Sequence, residues 1–456
     1  ALGTPFWHES WWLEALRLEA GRLRPDVIPA SGDIALRASL MFADHLGSAK
    51  KTPNEKTPDH LANTTKGMNG FVPADSLSRH IKRVYRYSRF AHEITHDLRD
   101  RYPALDEPAL PTDIAFPEPS PIPRFAWQGH AARAARMMCE KREGGFFAAI
   151  LAGTGTGKTR GAPTILAGAA MGDTIPERRY LRMSLGLGLR VLATQSAKEY
   201  VEDLGFASGD ISVLVGDPPL DFRDPKDDEA PTGSSDGSES LVSLPEWLRV
   251  EDPEGRVPEE GDEREERWLR GLSLDTDRGL PAFLDQVLEK AGKHSGAGRR
   301  LLQAPIMVGT IDHLMGVAAP VNSRFLFQSL RLMTSDLILD EIDQYDGEDL
   351  AAIGRLIFQA GAAGRRVIIM SATLTPDIAE ALHLAYSQGW ADHAQASGTS
   401  THVNLLLCGD APESVFTNLE DEGLSRILDQ CRSSILAGIR AAPALRRGEI
   451  LPACDG

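Results

Sequence analysis

The sequence predicts an α/β fold, a mostly parallel sheet with helices on both faces, preceded by an all-helical segment. Three observations carry this. From residue 146 onward, short apolar runs alternate with helix-like stretches, the pattern of strands buried on both faces. A glycine-rich loop, AGTGTGKT, lies between one of those runs and a following helix. Upstream, WWLEALRLEA and IALRASLMFADHL repeat apolar residues at three- and four-residue spacing with few breakers.

Length and composition bound the answer. A chain of 456 residues is long enough for about three domains or subdomains with their own cores. With 42% hydrophobic and 25% charged residues it has the balance of a soluble globular protein. No apolar run approaches the ~18 residues that would span a bilayer, so no membrane association is expected. The first residues, ALGTPFWHESWW, lack the basic start and apolar core of a secretion signal. Four cysteines without a CxxC pair exclude a disulfide scaffold and a zinc ribbon, and they fit a reducing, cytoplasmic location. The formal charge of -16 argues against a generally basic nucleic-acid coat protein. That charge is concentrated, however, because residues 221–270 hold 17 acidic against 7 basic residues. A positive groove elsewhere stays compatible with it.

Taken in order, residues 1–100 read as helical. Within them RHIKRVYRYSR (79–89) carries five basic residues, no acid and two tyrosines. It is a solvated helix face or a contact for DNA phosphates. Seven prolines in 101–123 favour extended chain, the composition of a linker. The strands expected next are FFAAILAG (146–153), LGLRVLAT (187–194), ISVLVG (211–216), APIMVGT (304–310), DLILDE (336–341) and RVIIMSAT (366–373). Residues 217–300 interrupt them with PTGSSDGSES and EDPEGRVPEEGDEREE, too polar to bury a core, so this is read as an acidic insertion.

The chemistry is carried by a few motifs. In Ala152–Thr159, small residues let the backbone amides of Gly153, Thr154, Gly155, Thr156 and Gly157 approach a phosphate chain. The helix that follows adds the positive end of its dipole. Lys158 then reaches the β- and γ-phosphates of ATP and the Thr159 hydroxyl holds magnesium. Far downstream, LILDEID (337–343) ends a strand in adjacent carboxylates. In phosphate-loop enzymes Asp340 at such a place ligates magnesium, and Glu341 orients or deprotonates the attacking water. Read alone, the same residues form only an acidic turn.

Three further sites gain meaning from these. Ser371-Ala372-Thr373 ends another strand and is similar to motif III of superfamily-two helicases, where the two hydroxyls couple the nucleotide site to the nucleic-acid track. RFAWQ (124–128) resembles an adenine-recognition Q motif, with Gln128 reading the base; a core tryptophan beside a surface glutamine is the plain alternative. ATQS (193–196) and GTIDHL (309–314) stand where motifs Ia and Ib belong, so Thr194, Gln195 and Thr310 are candidate contacts to nucleic-acid phosphates, or else ordinary strand-end loops.

The order of these motifs resembles a superfamily-two helicase. The longer strings LGLGLRVLATQSAKEYVEDLG, LLQAPIMVGTIDHL and RLMTSDLILDEIDQYDGEDLAAIGRLIFQAGAAGRRVIIMSATL are similar to the CRISPR-associated helicase–nuclease of type I-F interference systems, over roughly residues 30–395. The resemblance implies a RecA-like first helicase lobe over 124–400, with residues 1–100 as the end of an HD-type nuclease domain. It implies ATP-driven 3′-to-5′ movement on single-stranded DNA, a nuclease using a divalent transition metal, and partners in a guide-RNA surveillance complex and adaptation proteins. In MFADHLGSAKK (41–51), Asp44 is the residue that matches the metal-site aspartate.

The sequence also departs from that family. His8, His45 and His60 do not reproduce the spacing of the HD histidines, and Ile342 and Gln344 replace the usual residues of the acidic box. The stretch after Thr373 is shorter than the roughly 150 residues of a second lobe and lacks its QxxGRxxR motif. The chain is therefore expected to be an interior fragment, with 401–456 the start of the second lobe or a connector, and to hydrolyse ATP slowly by itself. A generic DEAD/DEAH-type RNA helicase and a nucleotide-binding interaction module that does not translocate are the alternatives.

Overall fold

The computed structural model describes residues 102–214, 302–315, 317–318, 326–345, 347–410, 414–418 and 424–441, the segments 61–67 and 70–76, and residues 43, 80–82, 84, 85 and 88. The strands are β1 (Leu61–Gly67), β2 (Gly70–Ser76), β3 (Gly145–Leu151), β4 (Met183–Leu187), β5 (Ile211–Leu214), β6 (Ile306–Thr310), β7 (Asp336–Leu339), β8 (Val367–Ser371), β9 (Val403–Cys408) and β10 (Val415–Thr417). The helices are α1 (Thr112–Ala115), α2 (Pro123–Lys141), α3 (Lys158–Met171), α4 (Arg190–Glu202), α5 (Asp312–Met315), α6 (Leu326–Thr334), α7 (Gly347–Ala362), α8 (Pro376–Ser397) and α9 (Leu424–Ala441).

Strands β3 to β10 form one sheet in the order β10-β9-β3-β8-β7-β4-β6-β5. Every neighbouring pair is parallel except β9 with β10. This is a RecA-like α/β arrangement. All parallel strands end on one edge, and an open sheet of this kind takes its ligands there.

The alternation along β3 shows how the two faces are filled. Phe146, Ala148 and Ile150 point to one side, with Trp127 and Ala131 of α2, Ile165 and Leu166 of α3, and Tyr200 of α4. Phe147, Ala149 and Leu151 point to the other, with Ile353, Leu356 and Ile357 of α7, Tyr386 and Trp390 of α8, and Ile427 and Leu428 of α9. Successive strand residues alternate faces, so an unbroken apolar run is what a sheet covered twice requires. The spacing 353, 356, 357, 360 lays one apolar stripe of α7 on the sheet. Each large side chain buried this way stabilises by about 1.5–3 kcal/mol.

At the opposite edge of the sheet a charged group is fully enclosed. Arg366 donates from Nη1 to Asp336 at 2.9 Å and from Nη2 to Asp173, while Arg178 lies 3.5 Å from Asp173. Burial alone would lower the Arg366 pKa, but Asp336 and Asp173 reverse this and raise it. Burial likewise works to raise Asp173, and Arg366 and Arg178 outweigh it, leaving the carboxyl below its usual range.

Several expectations change. The all-helical reading of residues 1–100 fails at 61–76, where β1 and β2 pair antiparallel with Gly67 opposite Gly70. The sequence KGMNG (66–70) is rich in the glycine and asparagine that favour turns, a cue that helical periodicity elsewhere in the segment obscures. Residues 80–82, 84, 85 and 88 are helical, while Arg83 and Arg86 lie outside the described residues.

The proline-rich stretch is not a free linker. Tyr102, Leu105, Leu110, Ile114 and Ala115 are buried, Leu105 and Leu181 exchange backbone hydrogen bonds at 2.9 and 2.7 Å, and Arg182 lies over the Tyr102 ring. Apolar residues between the prolines anchor it to the sheet. The expected strand 187–194 ends at Leu187, and Val191–Thr194 belong to α4; a short apolar run does not distinguish strand from helix by periodicity. The sheet also continues past residue 400, since β9 pairs parallel with β3 from Gly145↔Val403 to Ile150↔Cys408. Val403–Cys408 and Val415–Thr417 thus belong to the same sheet as β3. The insertion 217–300 lies outside the described residues.

Candidate nucleotide site

The site is built where β3, β7 and β8 end side by side. After β3 the chain turns through Ala152–Gly157. Gly155 (φ 74°) and Gly157 (φ 80°) occupy the left-handed region that favours glycine, so the loop needs those residues where the motif places them. Gly157 leads directly into α3, whose first residues are Lys158 and Thr159. The loop is fastened from several sides. Thr156 Oγ1 donates to the Gly153 carbonyl at 2.7 Å, and Trp127 Nε1 donates to the Thr156 carbonyl at 3.2 Å. Gln128 Nε2 donates to the carbonyls of Thr156 at 3.4 Å and Gly157 at 3.0 Å. The Gly153 amide approaches Asp410, which follows β9, at 3.5 Å.

Helix α2 can hold the loop this closely because it packs tightly on α3. A Cβ on Gly161 would meet the Trp127 ring at 2.5 Å, and one on Gly168 would meet the Ala132 carbonyl at 2.3 Å.

The acidic strand end lies two strands away, across β8. The Asp340 amide donates to Gly186 of β4 at 3.0 Å, and Asp340 Oδ1 accepts from the Glu341 amide at 2.8 Å. Burial raises the Asp340 pKa, partly opposed by the Glu341 amide and by the charge of Lys158. Glu341 has a left-handed backbone (φ 54°), a conformation that costs a non-glycine residue roughly 1–2 kcal/mol. Its Oε2 is buried without a hydrogen-bond partner among the described residues. A backbone this strained, carrying an unsatisfied carboxylate, is characteristic of a functional position.

Asp343 joins the acidic segment to the end of β8. It accepts from Ser371 Oγ at 2.8 Å and from Thr373 Oγ1 at 2.6 Å. Burial would raise its pKa; the bonds from Thr373 and Ser371, with the charge of Lys158, lower it instead. The charge of Lys158 thus favours the ionised form of both acids, and the acidic turn is hydrogen-bonded to the two hydroxyls.

A cavity of about 780 Å³ adjoins the loop, within the range of small-molecule sites. Gly155, Gly157, Lys158 and Thr159 border it, with Phe116–Pro121, Phe125 and Gln128 on one side and Gln195, Glu199 and Tyr200 of α4 on another.

Not every expected residue joins this cluster. Thr310 ends β6 buried, at 4% exposure, which removes its side chain from any contact with nucleic acid. Gln195 bonds Glu199 on the same face of α4 at 2.9 Å and borders the nucleotide cavity, so it does not face a separate track. Thr194 is half-buried on α4. Asp44 lies outside the described residues. Asp343 and Trp127 stand beside the expected residues, and their cues in the sequence are the third acid of DEID and the tryptophan of RFAWQ. Among the described residues no group of three or more His, Cys, Asp or Glu is placed to hold a metal ion, and no helix is long and apolar enough to cross a membrane.

The chain is 33% identical over 380 residues to the CRISPR-associated nuclease/helicase Cas3 subtype I-F/YPEST of Pseudomonas aeruginosa, covering 80% of this chain and 31% of that protein. It is 30% identical over 427 residues to the protein of the same name from Pectobacterium atrosepticum, covering 89% of this chain and 35% of that protein. The chain is homologous to part of subtype I-F Cas3. It spans about a third of the length of these Cas3 relatives. Among solved structures, T. fusca Cas3 with ATP matches with a TM-score of 0.38 and 18% identity, over 68% of this chain and 27% of that one. T. fusca Cas3 with AMPPNP matches with a TM-score of 0.38 and 19% identity, over 70% and 28%. No family model matches the chain.

Proposed function

We propose that this lobe binds ATP with magnesium and is the motor portion of a Cas3-type nuclease/helicase that moves on single-stranded DNA in type I-F CRISPR interference. The observation that carries the reading is the meeting of three strand ends, with the glycine loop and Lys158 after β3, Asp340 after β7, and Asp343 holding Ser371 and Thr373 at the end of β8.

The donor set suits magnesium. This hard cation takes oxygen ligands and keeps several waters, and the Thr159 hydroxyl and the Asp340 carboxylate are such donors beside a phosphate loop. Bound there, the ion would neutralise phosphate charge. The chain's own groups do the rest. Loop amides and the Lys158 ammonium grip the β- and γ-phosphates, and phosphoryl transfer depends mainly on such positioning and charge neutralisation. The buried Oε2 of Glu341 accepts a proton from, or orients, the attacking water. Asp343 transmits the state of the acidic turn to Ser371 and Thr373. Trp127 and Gln128 hold the loop in register, and Phe125 with the 116–121 segment borders the cavity where a base fits.

Nuclease action with a divalent transition metal, and contacts to a guide-RNA surveillance complex and adaptation proteins, belong to the proposal through the subtype I-F relatives. The test is ATPase activity of the full-length protein with single-stranded DNA or RNA of matched sequence. Stimulation by DNA, abolished by Glu341→Gln, is expected; stimulation by RNA in preference to DNA would replace this reading with a generic RNA helicase.

A further inference from the structure

Tyr200 is fully buried on α4, yet its hydroxyl has no hydrogen-bond partner among the described residues. An enclosed, unpaired hydroxyl is unfavourable. Phenylalanine would fill the same volume without that cost, so packing gives no reason for a tyrosine here. The location gives one. Tyr200 borders the cavity that Lys158 and Thr159 line. Ala193, Ala197 and Tyr200 of α4 are buried in the same core as Leu185 and Leu187 of β4, and α4 packs across β6, β5 and β4. The Gly186 carbonyl between those two leucines receives the Asp340 amide. Helical side chains lean toward the helix N-terminus, which for α4 is the edge of the sheet where the acids lie. Asp340 meanwhile accepts one bond, from the Glu341 amide, among the described residues. An enclosed donor thus borders the cavity that Lys158 and Thr159 line, on a helix packed on the strand that binds the Asp340 amide, and Asp340 has an oxygen to spare.

We propose that Tyr200 is a positioning residue for the divalent-cation end of the nucleotide site, its hydroxyl bonding the Asp340 carboxylate, directly or through cation-bound water, when a cation binds. Groups that support a metal ligand in this way fix its orientation, and their loss typically weakens metal affinity by roughly 10–100-fold. The proposal rests on the nucleotide reading above.

The experiment compares wild type, Tyr200→Phe, Tyr200→Leu and Lys158→Ala. Unfolding is followed without ligand, ADP binding is measured in EDTA, and Mn²⁺ binding is titrated by electron paramagnetic resonance with ADP present. The expected result for Tyr200→Phe is unchanged or higher stability, unchanged ADP affinity in EDTA, and Mn²⁺ affinity at least tenfold weaker. Tyr200→Leu shows the same Mn²⁺ loss with lower stability. Mn²⁺ affinity of Tyr200→Phe within twofold of wild type overturns the role of Tyr200, and if Lys158→Ala still loses ADP the nucleotide reading survives. ADP binding that Lys158→Ala leaves intact overturns both.

Discussion

Asp343 ties the acidic turn to the end of β8. Its two carboxylate oxygens each take one hydroxyl, from Ser371 and Thr373, and bonds to a charged acceptor contribute about 1.5–3 kcal/mol. Asp343→Ala is expected to leave nucleotide affinity within a few-fold of wild type while lowering DNA-stimulated ATPase by tenfold or more. A double-mutant cycle with Ser371→Ala gives a coupling of about 0.5–3 kcal/mol if the pair acts as a unit; additive effects would remove the link. Asp340 supplies a second expectation. Because burial raises its pKa, keeping it ionised costs stability in the folded state relative to the unfolded chain. Asp340→Asn should therefore raise the thermal midpoint of the ligand-free protein and cancel the increment given by magnesium with ADP. A mutant less stable than wild type would show that the carboxylate is a structural group. The loop glycines, Lys158 and the acids were legible in the sequence because phosphate chemistry permits few residue types there. Tyr200 was not, because a buried tyrosine on a helix looks the same whether its hydroxyl is used or not.

At the scale of elements, the loop is held by the fit of α2 on α3. The Cβ of alanine at Gly168 would stand 2.3 Å from a backbone carbonyl of α2, which no rotamer change relieves. Gly168→Ala is expected to cost about 1–3 kcal/mol and to weaken nucleotide binding as Trp127 and Gln128 shift off the loop. A mutant with wild-type stability and affinity would show the two helices to be energetically independent of the loop. The parallel strands were readable as apolar runs, since burial on both faces leaves no other composition open to them. The boundary between β4 and α4 was not, because the run LGLGLRVLATQS is apolar through both elements and only Gly186 and Gly188 mark the change. β9 and β10 went unread for a related reason: VNLLLC follows a long polar helix end and carries no motif, though it completes the sheet beside β3.

For the molecule as a whole, the two edges of the sheet do different work. One edge gathers the nucleotide site; the other encloses Asp173, Arg178, Asp336 and Arg366. Asp173 is held below the ~3.9 of an unfolded aspartate. Its contribution is therefore complete above that value and is lost as pH falls through the lower folded-state pKa. Denaturant unfolding from pH 6 to pH 3 should show stability falling at the acid end. Asp173→Asn should be less stable at pH 6 by about 3–5 kcal/mol, the scale for breaking a buried pair, and flatter toward acid; parallel curves for the two proteins would exclude Asp173 as the titrating group.

The central claim is that the strand ends form a site for ATP and magnesium, and affinity for a fluorescent ATP analogue in the presence of magnesium tests it most directly. Saturable binding by the wild-type chain, weakened roughly 10–100-fold by Lys158→Ala as expected for loss of a charge-assisted contact, is the predicted result. Equal affinity of the two proteins would contradict it.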